Sequence, residues 1–340
     1  MKMKKFLLFF SALSFTGQLC HAQFSLQTQF RLRNKPSFDL VGAGQLDSVL
    51  KKAGILVLPI TVAVIDSGTS ILHPLLLPQI QTNFVEISGN DFDDDMNGLV
   101  DDVYGYDFVN KRAFMVDDDG HGTHVSGIIA ALNPYAKILP IKVLNSEGKG
   151  GLQNILSAIR YAASRGSRVI NLSLGVLDVL GSSKGAYEEA IQFARSKGAL
   201  VVAAAGNENS NNDVYSFYPS NAYEDNLISV CATDGYGNFA SFSNYGKWKV
   251  HVCAPGFEID SLGHNHTKTP WIRFSGTSQA TPFVAAAASI LFGIKPSLQP
   301  YQVRNILMNT SSRYTNLKDK SQTEGILNIH SAVLDLISQF

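Results

Sequence analysis

Short apolar strands separated by amphipathic helices constrain this chain more than any other feature of its sequence. Thr61–Ile65 (TVAVI) is a β-branched run, and Lys137–Val143, Arg168–Leu174 and Ala199–Ala205 are three more. Between them, Leu152, Ile155, Leu156 and Ile159 recur at i, i+3, i+4 and i+7, as do Tyr187, Ala190, Ile191 and Ala194. That spacing marks one face of a helix. Strands that are apolar throughout need cover on both faces, so the pattern predicts a mostly parallel sheet between helices, a three-layer α/β/α fold. In such sheets functional groups gather at the carboxyl ends of the strands.

Apolar residues make up 45% of the 340 residues and charged ones 16%, enough to build a large core and too little charge for disorder. With 28 basic and 28 acidic side chains, no net field draws the chain to nucleic acid or to an anionic membrane. No internal repeat is present. Lys2, Lys4 and Lys5 precede an apolar run from Phe6 to Phe15, and Cys20-His21-Ala22 follows. This layout predicts a signal peptide over residues 1–22, cleaved after Ala22, and a secreted or periplasmic protein. The run is shorter than the ~18–20 residues that span a bilayer, so no stable membrane insertion is expected after cleavage. An uncleaved anchor or a lipidated Cys20 are the alternatives, and Leu19 fits lipidation poorly. Two cysteines remain, Cys231 and Cys253, both in strand-like apolar stretches. Export permits a disulfide, but the expectation is two buried thiols.

Four segments carry chemistry. Val64-Ile65-Asp66-Ser67-Gly68 puts a carboxylate at a strand's end, where an acidic residue is ordinarily a turn former. Asp119-Gly120-His121-Gly122-Thr123-His124 opens an apolar helical run; the paired histidines also permit a metal site. In Ser275-Gly276-Thr277-Ser278-Gln279-Ala280 a serine stands at the start of a long apolar helix, where free N–H groups stabilise developing negative charge. Ala203-Ala204-Ala205-Gly206-Asn207 presents an amide after a strand. Acyl transfer by serine needs these groups together: a hydroxyl, an imidazole to take its proton, a carboxylate to orient the imidazole, and donors for the oxyanion.

In the order Asp, His, Asn, Ser, the segments VIDSG, HGTHVSG, AAAGNE and SGTSQATP resemble the four signatures of the subtilisin-like serine proteases. His73-Pro74, Val169–Gly175, Ala254-Pro255-Gly256, Gln302–Leu307 and Gly325–Asn328 also resemble landmarks of that family, so the resemblance runs from about residue 60 to the C-terminus. It implies a serine endopeptidase domain over 60–340 acting on peptide or protein substrates as a monomer, with no cofactor for catalysis. Asp66 would orient His121, His121 would serve as base and then acid, and Ser278 would be the nucleophile. Asn207 and the Ser278 N–H would hold the oxyanion, and His124 would be structural. Ser173, Leu174 and Gly175 would pair with an extended substrate as an added strand. Ala205, Gly206 and Phe217 would border the pocket for the residue before the scissile bond.

Some features depart from the family pattern or stand outside it. Phe217 occupies a place where many relatives have a small residue, which would narrow the pocket and favour small residues there. Gln279 follows the nucleophile where many relatives carry an oxidisable Met, so tolerance of peroxide is expected. Residues 23–59 are too short for the folded propeptide usual in secreted relatives. A dedicated leader-peptide maturation protease is therefore an alternative to a general enzyme; an inactive peptide-binding form and a calcium-dependent adhesive protein are more distant ones. In Asn90–Asp102, Asp93, Asp95 and Asn97 match the first ligands of a calcium loop and Gly98 allows its sharp turn. Tyr104 stands where the closing Glu belongs, so Asp101 or Asp102 would substitute. A structural calcium is expected there, because such crowded carboxylates repel one another without a cation.

Overall fold

The computed structural model describes residues 26–178, 180–265, 267–268 and 270–340; the expected leader, residues 1–22, lies outside the described residues. Three helices come first: α1 at 26–33, α2 at Lys35–Leu40 and α3 at Leu46–Ala53. The third has Asp47 in its first turn and Lys51 and Lys52 in its last, matching the helix dipole. It stops at Gly54, whose φ of 66° is a left-handed cap. Leu26, Phe30, Phe38, Val41, Leu46 and Leu50 from this region join the main core, so the N-terminal helices are part of the domain body.

From Ile60 onward strands and helices alternate. The strands are β1 Ile60–Asp66, β2 Tyr106–Asp107, β3 Ala136–Lys142, β4 Val169–Leu172, β5 Val176–Leu177, β6 Leu200–Ala204, β7 Phe217–Tyr218, β8 Leu227–Thr233, β9 Val252–Pro255, β10 Ile259–Leu262, β11 Trp271–Phe274, β12 Ser312–Arg313 and β13 Gly325–Ile326. The later helices are α4 His121–Leu132, α5 Leu152–Ser164, α6 Lys184–Ser196, α7 Thr277–Ile294, α8 Pro300–Asn309 and α9 Ile329–Ile337. Nine strands form one sheet in the order β12-β13-β9-β8-β6-β4-β1-β3-β2. All its pairings are parallel except β12 with β13. The chain leaves β1 for β3 on one side and then crosses to β4 on the other, so the strand order reverses at β1.

Alternation along the strands divides the core into the two layers that the sequence predicts. Val62 and Val64 face the layer of α4 and α7, while Ala63 and Ile65 face that of α5 and α6. In β6, Leu200 and Val202 divide in the same way from Val201 and Ala203. Helix α7 lies inside the molecule. It is long and apolar enough to cross a bilayer, yet 89% of its apolar window is buried in protein, which makes it a core helix.

The cysteine expectation is overturned. Cys231 and Cys253 form a disulfide, not two separate thiols. They stand directly opposite one another on the parallel neighbours β8 and β9, with Cα atoms 4.3 Å apart. Strand adjacency and register bring the sulfurs together, and neither is visible in the local sequence.

Candidate active site

Asp66 ends β1 and is fully buried. Its Oδ1 accepts the Ser67 N–H at 2.7 Å and lies 2.8 Å from His121 Nδ1. A carboxylate can only accept, so the proton sits on Nδ1 and Nε2 is left as the basic nitrogen. His121 is the first residue of α4 and its side chain is 24% exposed. The approach of α4 to the end of β1 requires Gly122, because a Cβ there would lie 1.9 Å from the Gly68 carbonyl oxygen. Burial pulls the His121 pKa down, but the charge and hydrogen bond of Asp66, with Asp119 and Asp117, outweigh it and hold the ring above its ordinary value.

Two groups without a sequence signal of their own fix this arrangement. Asp117 accepts from Ser67 Oγ and Gly120 N at 2.8 Å and from Thr123 N at 2.9 Å, tying the end of β1 to the start of α4. Lys142 is buried, and its ammonium donates to Ser67 O at 2.8 Å, Asp118 Oδ1 at 2.7 Å and Leu144 O at 2.6 Å. All three of its N–H bonds are satisfied, which is what a buried charge requires. His124 turns away: its Nε2–H donates to the Ile259 carbonyl at 3.0 Å, and burial pushes its pKa down to about 3. It is a neutral core histidine.

Ser278 is the second residue of α7, so its N–H has no carbonyl within the helix to bond. Pro282, four residues on, lacks the N–H that would close on the Ser278 carbonyl; Ser173 Oγ donates to that oxygen at 2.7 Å. In return Ser278 Oγ donates to the Ser173 carbonyl at 2.9 Å. Ser278 and His121 thus line one cavity, with the hydroxyl turned to Ser173.

Asn207 follows β6. Its Oδ1 accepts Thr277 N at 2.8 Å and Thr277 Oγ1 at 3.1 Å, which leaves the NH₂ end as the donor toward the cavity. Asn244, which carries no motif, holds this turn: it accepts from Glu208 N and Ser210 N at 2.9 Å and donates to Ala205 O at 3.0 Å. Gly206, at φ 110°, has no room for a side chain, since a Cβ would meet Asn244 Nδ2 at 2.3 Å.

The cavity holds about 770 Å³ and is lined by His121, Ser173, Leu174, Gly175, Gly206, Asn207, Phe217 and Ser278 among others. Ala204 lines it as well, whereas Ala205 packs in the cluster containing both cysteines. Phe217 sits on β7, which pairs antiparallel with β5. Its ring lies over Gly175, where a Cβ would come within 2.2 Å of it.

The acidic loop is arranged differently from the linear calcium motif. Asp93 accepts from Asn97 N and Gly98 N, and Asp101 from Gly89 N, Asn90 N and Asp91 N, so both cap local backbone. Asn97 donates its amide to Asp102 Oδ2 at 3.2 Å. Among the described residues, Asp95 and Asp102 are the expected carboxylates that converge. Their partner is Glu86, the three offering oxygens within 4.8 Å of one another. Glu86 Oε2 is buried without a partner, and an all-carboxylate oxygen set suits a hard divalent cation.

Comparison with known proteins gives a consistent result. The model of the subtilase family matches residues 59–329. The chain is 42% identical over 227 residues (64% of its length) to the cell wall-associated protease of Bacillus subtilis (strain 168), spanning 24% of that protein. It is 40% identical over 240 residues (68% of its length) to the thermophilic serine proteinase of Bacillus sp. (strain AK1), spanning 51% of it. Against subtilisin DY of Bacillus licheniformis the values are 39% over 241 residues, covering 68% of this chain and 83% of the relative. The chain therefore spans a quarter to a half of the length of the first two. Among solved structures it is similar to a cold adapted subtilisin-like serine proteinase, at TM-score 0.61 and 28% identity, covering 79% of this chain and 86% of that one. A lanthipeptide protease shares the fold at TM-score 0.73 and 23% identity, over 89% and 95% of the two chains.

Proposed function

The chain belongs to the subtilase family of serine proteases, and from that premise we propose an exported endopeptidase that cleaves peptide bonds through an acyl-enzyme on Ser278. The observation that carries the proposal is the 2.8 Å contact of Asp66 with His121 Nδ1, in a cavity shared by His121, Asn207 and Ser278. Substrate entry turns the Ser278 hydroxyl from the Ser173 carbonyl to His121 Nε2. The oxygen attacks the scissile carbonyl while Nε2 takes its proton. The Asn207 NH₂ and the Ser278 N–H receive the oxyanion. The imidazolium, steadied by Asp66, protonates the leaving amine; water then repeats the sequence in reverse to free the acid. Ser173–Gly175 offers backbone to an extended substrate. Export rests on the basic and apolar N-terminal residues.

Phe217 over Gly175 closes the floor of the pocket, so small residues precede the cleaved bond. This same contact favours the second reading, maturation of one precursor. The test treats the full chain and its Ser278→Ala form with a fluorophosphonate probe and then a diverse peptide library. Labelling and cleavage after small residues are expected of the wild type alone, with aromatic residues admitted by Phe217→Gly. An unlabelled, well-folded wild type would overturn the mechanism, and aromatic preference in the wild type would overturn the role of Phe217.

Subtilases need no cofactor for catalysis. Glu86, Asp95 and Asp102 would hold a structural calcium, which would neutralise their mutual repulsion. Asp102 also receives Tyr161 and Arg165 of α5 and its end, so the ion would brace the loop against that helix. Chelator should lower the melting temperature of the wild type and leave that of Glu86→Gln unmoved. Equal response of the two would remove Glu86 from the ligand set.

A further inference from the structure

Strands β10 and β11 form a small sheet of their own, separate from the nine-stranded one, and β10 packs on α4. Two strands alone are marginally stable in water, so this hairpin depends on bonds from outside it. Toward α4, the Ile259 carbonyl accepts from His124 Nε2 at 3.0 Å, and Ser261 Oγ donates to the His124 carbonyl at 2.8 Å. The Phe274 ring, at the end of β11, is centred 4.8 Å from the His124 ring and 6.4 Å from that of His121.

The N-terminal segment holds the hairpin from another side. Asn34 follows α1 and is 3% exposed. Its Oδ1 accepts the Asp260 N–H at 2.9 Å, and its Nδ2 donates to the Asp260 carbonyl at 2.8 Å and to the Phe30 carbonyl at 3.0 Å. One side-chain amide thus bonds β10 as the peptide of a neighbouring strand would. The Ile259–Asp260 peptide is thereby gripped at both ends, by His124 through its carbonyl and by Asn34 through its N–H. The Asp260 carboxylate in turn binds Arg273, its partner on β11, at 2.8 and 3.2 Å. Gln29 Oε1 accepts the Trp271 Nε1–H at 3.1 Å, and the Arg33 guanidinium lies 4.6 Å from the centre of the Trp271 ring.

We infer that residues 26–34 are a strap that positions His121, with Asn34 acting through the Ile259–Asp260 peptide, His124 and the first turn of α4. This rests on the proposed serine chemistry and adds a requirement to it. His121 must meet Asp66 and Ser278 at once, and it stands one turn before His124 on the same helix. A buried peptide group left without its bond is costly. Without Asn34, the Asp260 N–H and carbonyl turn toward water, and the hairpin draws the Ile259 carbonyl and Phe274 away from α4. Asn34 is thus a positioning residue, touching neither substrate nor the reacting atoms. Processing of the chain therefore stops ahead of Leu26 in the active enzyme, and a cut that removes residues 26–34 switches it off.

The test measures how fast a fluorophosphonate probe labels Ser278 in the full chain, across pH, for the wild type, Asn34→Ala and Gln29→Ala. Circular dichroism and thermal melting give the folded fraction of each. Per folded molecule, Asn34→Ala should label slower by about tenfold or more. Burial lowers the His121 pKa while Asp66, Asp119 and Asp117 raise it. A loosened Asp66 contact lets burial prevail, so the acid limb of labelling should move about half a pH unit or more toward acid. Gln29→Ala removes the bond to Trp271 and should label about threefold more slowly; it decides the matter if Asn34→Ala does not fold. By intact mass, labelled wild type should retain residues 26–34. A well-folded wild type that does not label would overturn the protease reading and this inference with it. With a labelled wild type, folded variants that match it in rate and acid limb would overturn this inference alone, whatever their melting temperatures. So would a labelled form that begins beyond Asn34.

Discussion

His121 is subject to two opposed pressures, and their balance sets the pH range of the proposed chemistry. Burial disfavours its charged form, while the Asp66 carboxylate, bonded at 2.8 Å, favours it and prevails. Only the neutral ring can take the serine proton. Activity is therefore full above the raised pKa and falls as pH drops through it. A profile of kcat/KM against pH should have its acid limb centred above about 6.5, the ordinary imidazole value. A midpoint below that value would mean that burial outweighs Asp66. At the same scale, Asp117 and Lys142 hold the loops around Asp66 and His121 by fully used hydrogen bonds, and a 2.9 Å bond keeps the Ser278 hydroxyl on Ser173.

Pairs of elements convert these residue contacts into a frame. The end of β1 and the start of α4 meet through Gly122, Ser67 and Asp117; β6 and the head of α7 meet through Asn207 and Thr277. Beside them, β8 and β9 are joined by Cys231 and Cys253, which are separated by 22 positions. Closing a loop of that size removes entropy from the unfolded chain and so raises its free energy by about 3 kcal/mol at room temperature. Replacing both cysteines by alanine should lower stability by about that amount in denaturant titration, with the folded active-site cavity retained. An unchanged midpoint would show that the bond adds strain equal to its entropic benefit.

Across the whole molecule, α7 connects the core to the candidate nucleophile. It packs on β1, β4, β6, β8 and β9 as well as on α4 and α8, and Ala285 to Ala288 are buried. Small side chains let the helix lie close to so many neighbours, and the larger isobutyl side chain of a leucine at fully buried Ala286 would have to push them apart. Ala286→Leu should cost about 1–3 kcal/mol. Because Ser278 stands at the head of the same helix, its displacement should lower kcat along with the melting temperature. A drop in melting temperature with kcat unchanged would show that the head of the helix is held independently, by Asn207 and Ser173.

Burial periodicity is a local property, so the sequence by itself determined the strands β1, β3, β4 and β6, the helices α5 and α6, and the layering of helices about a parallel sheet. It also located Asp66, His121, Asn207 and Ser278 at strand ends and helix starts, because motif and secondary structure coincide within a few residues. Contacts between distant segments depend on register and packing, and these only the tertiary structure decided. Cys231 meets Cys253 because β8 and β9 are neighbours in register. Glu86 displaces Asp93 and Asp101 from the acidic cluster because those two carboxylates turn to cap nearby N–H groups. Asn244, Lys142 and the bond of Asn34 to Asp260 have no local signature at all; each draws its meaning from partners that lie far away in the chain.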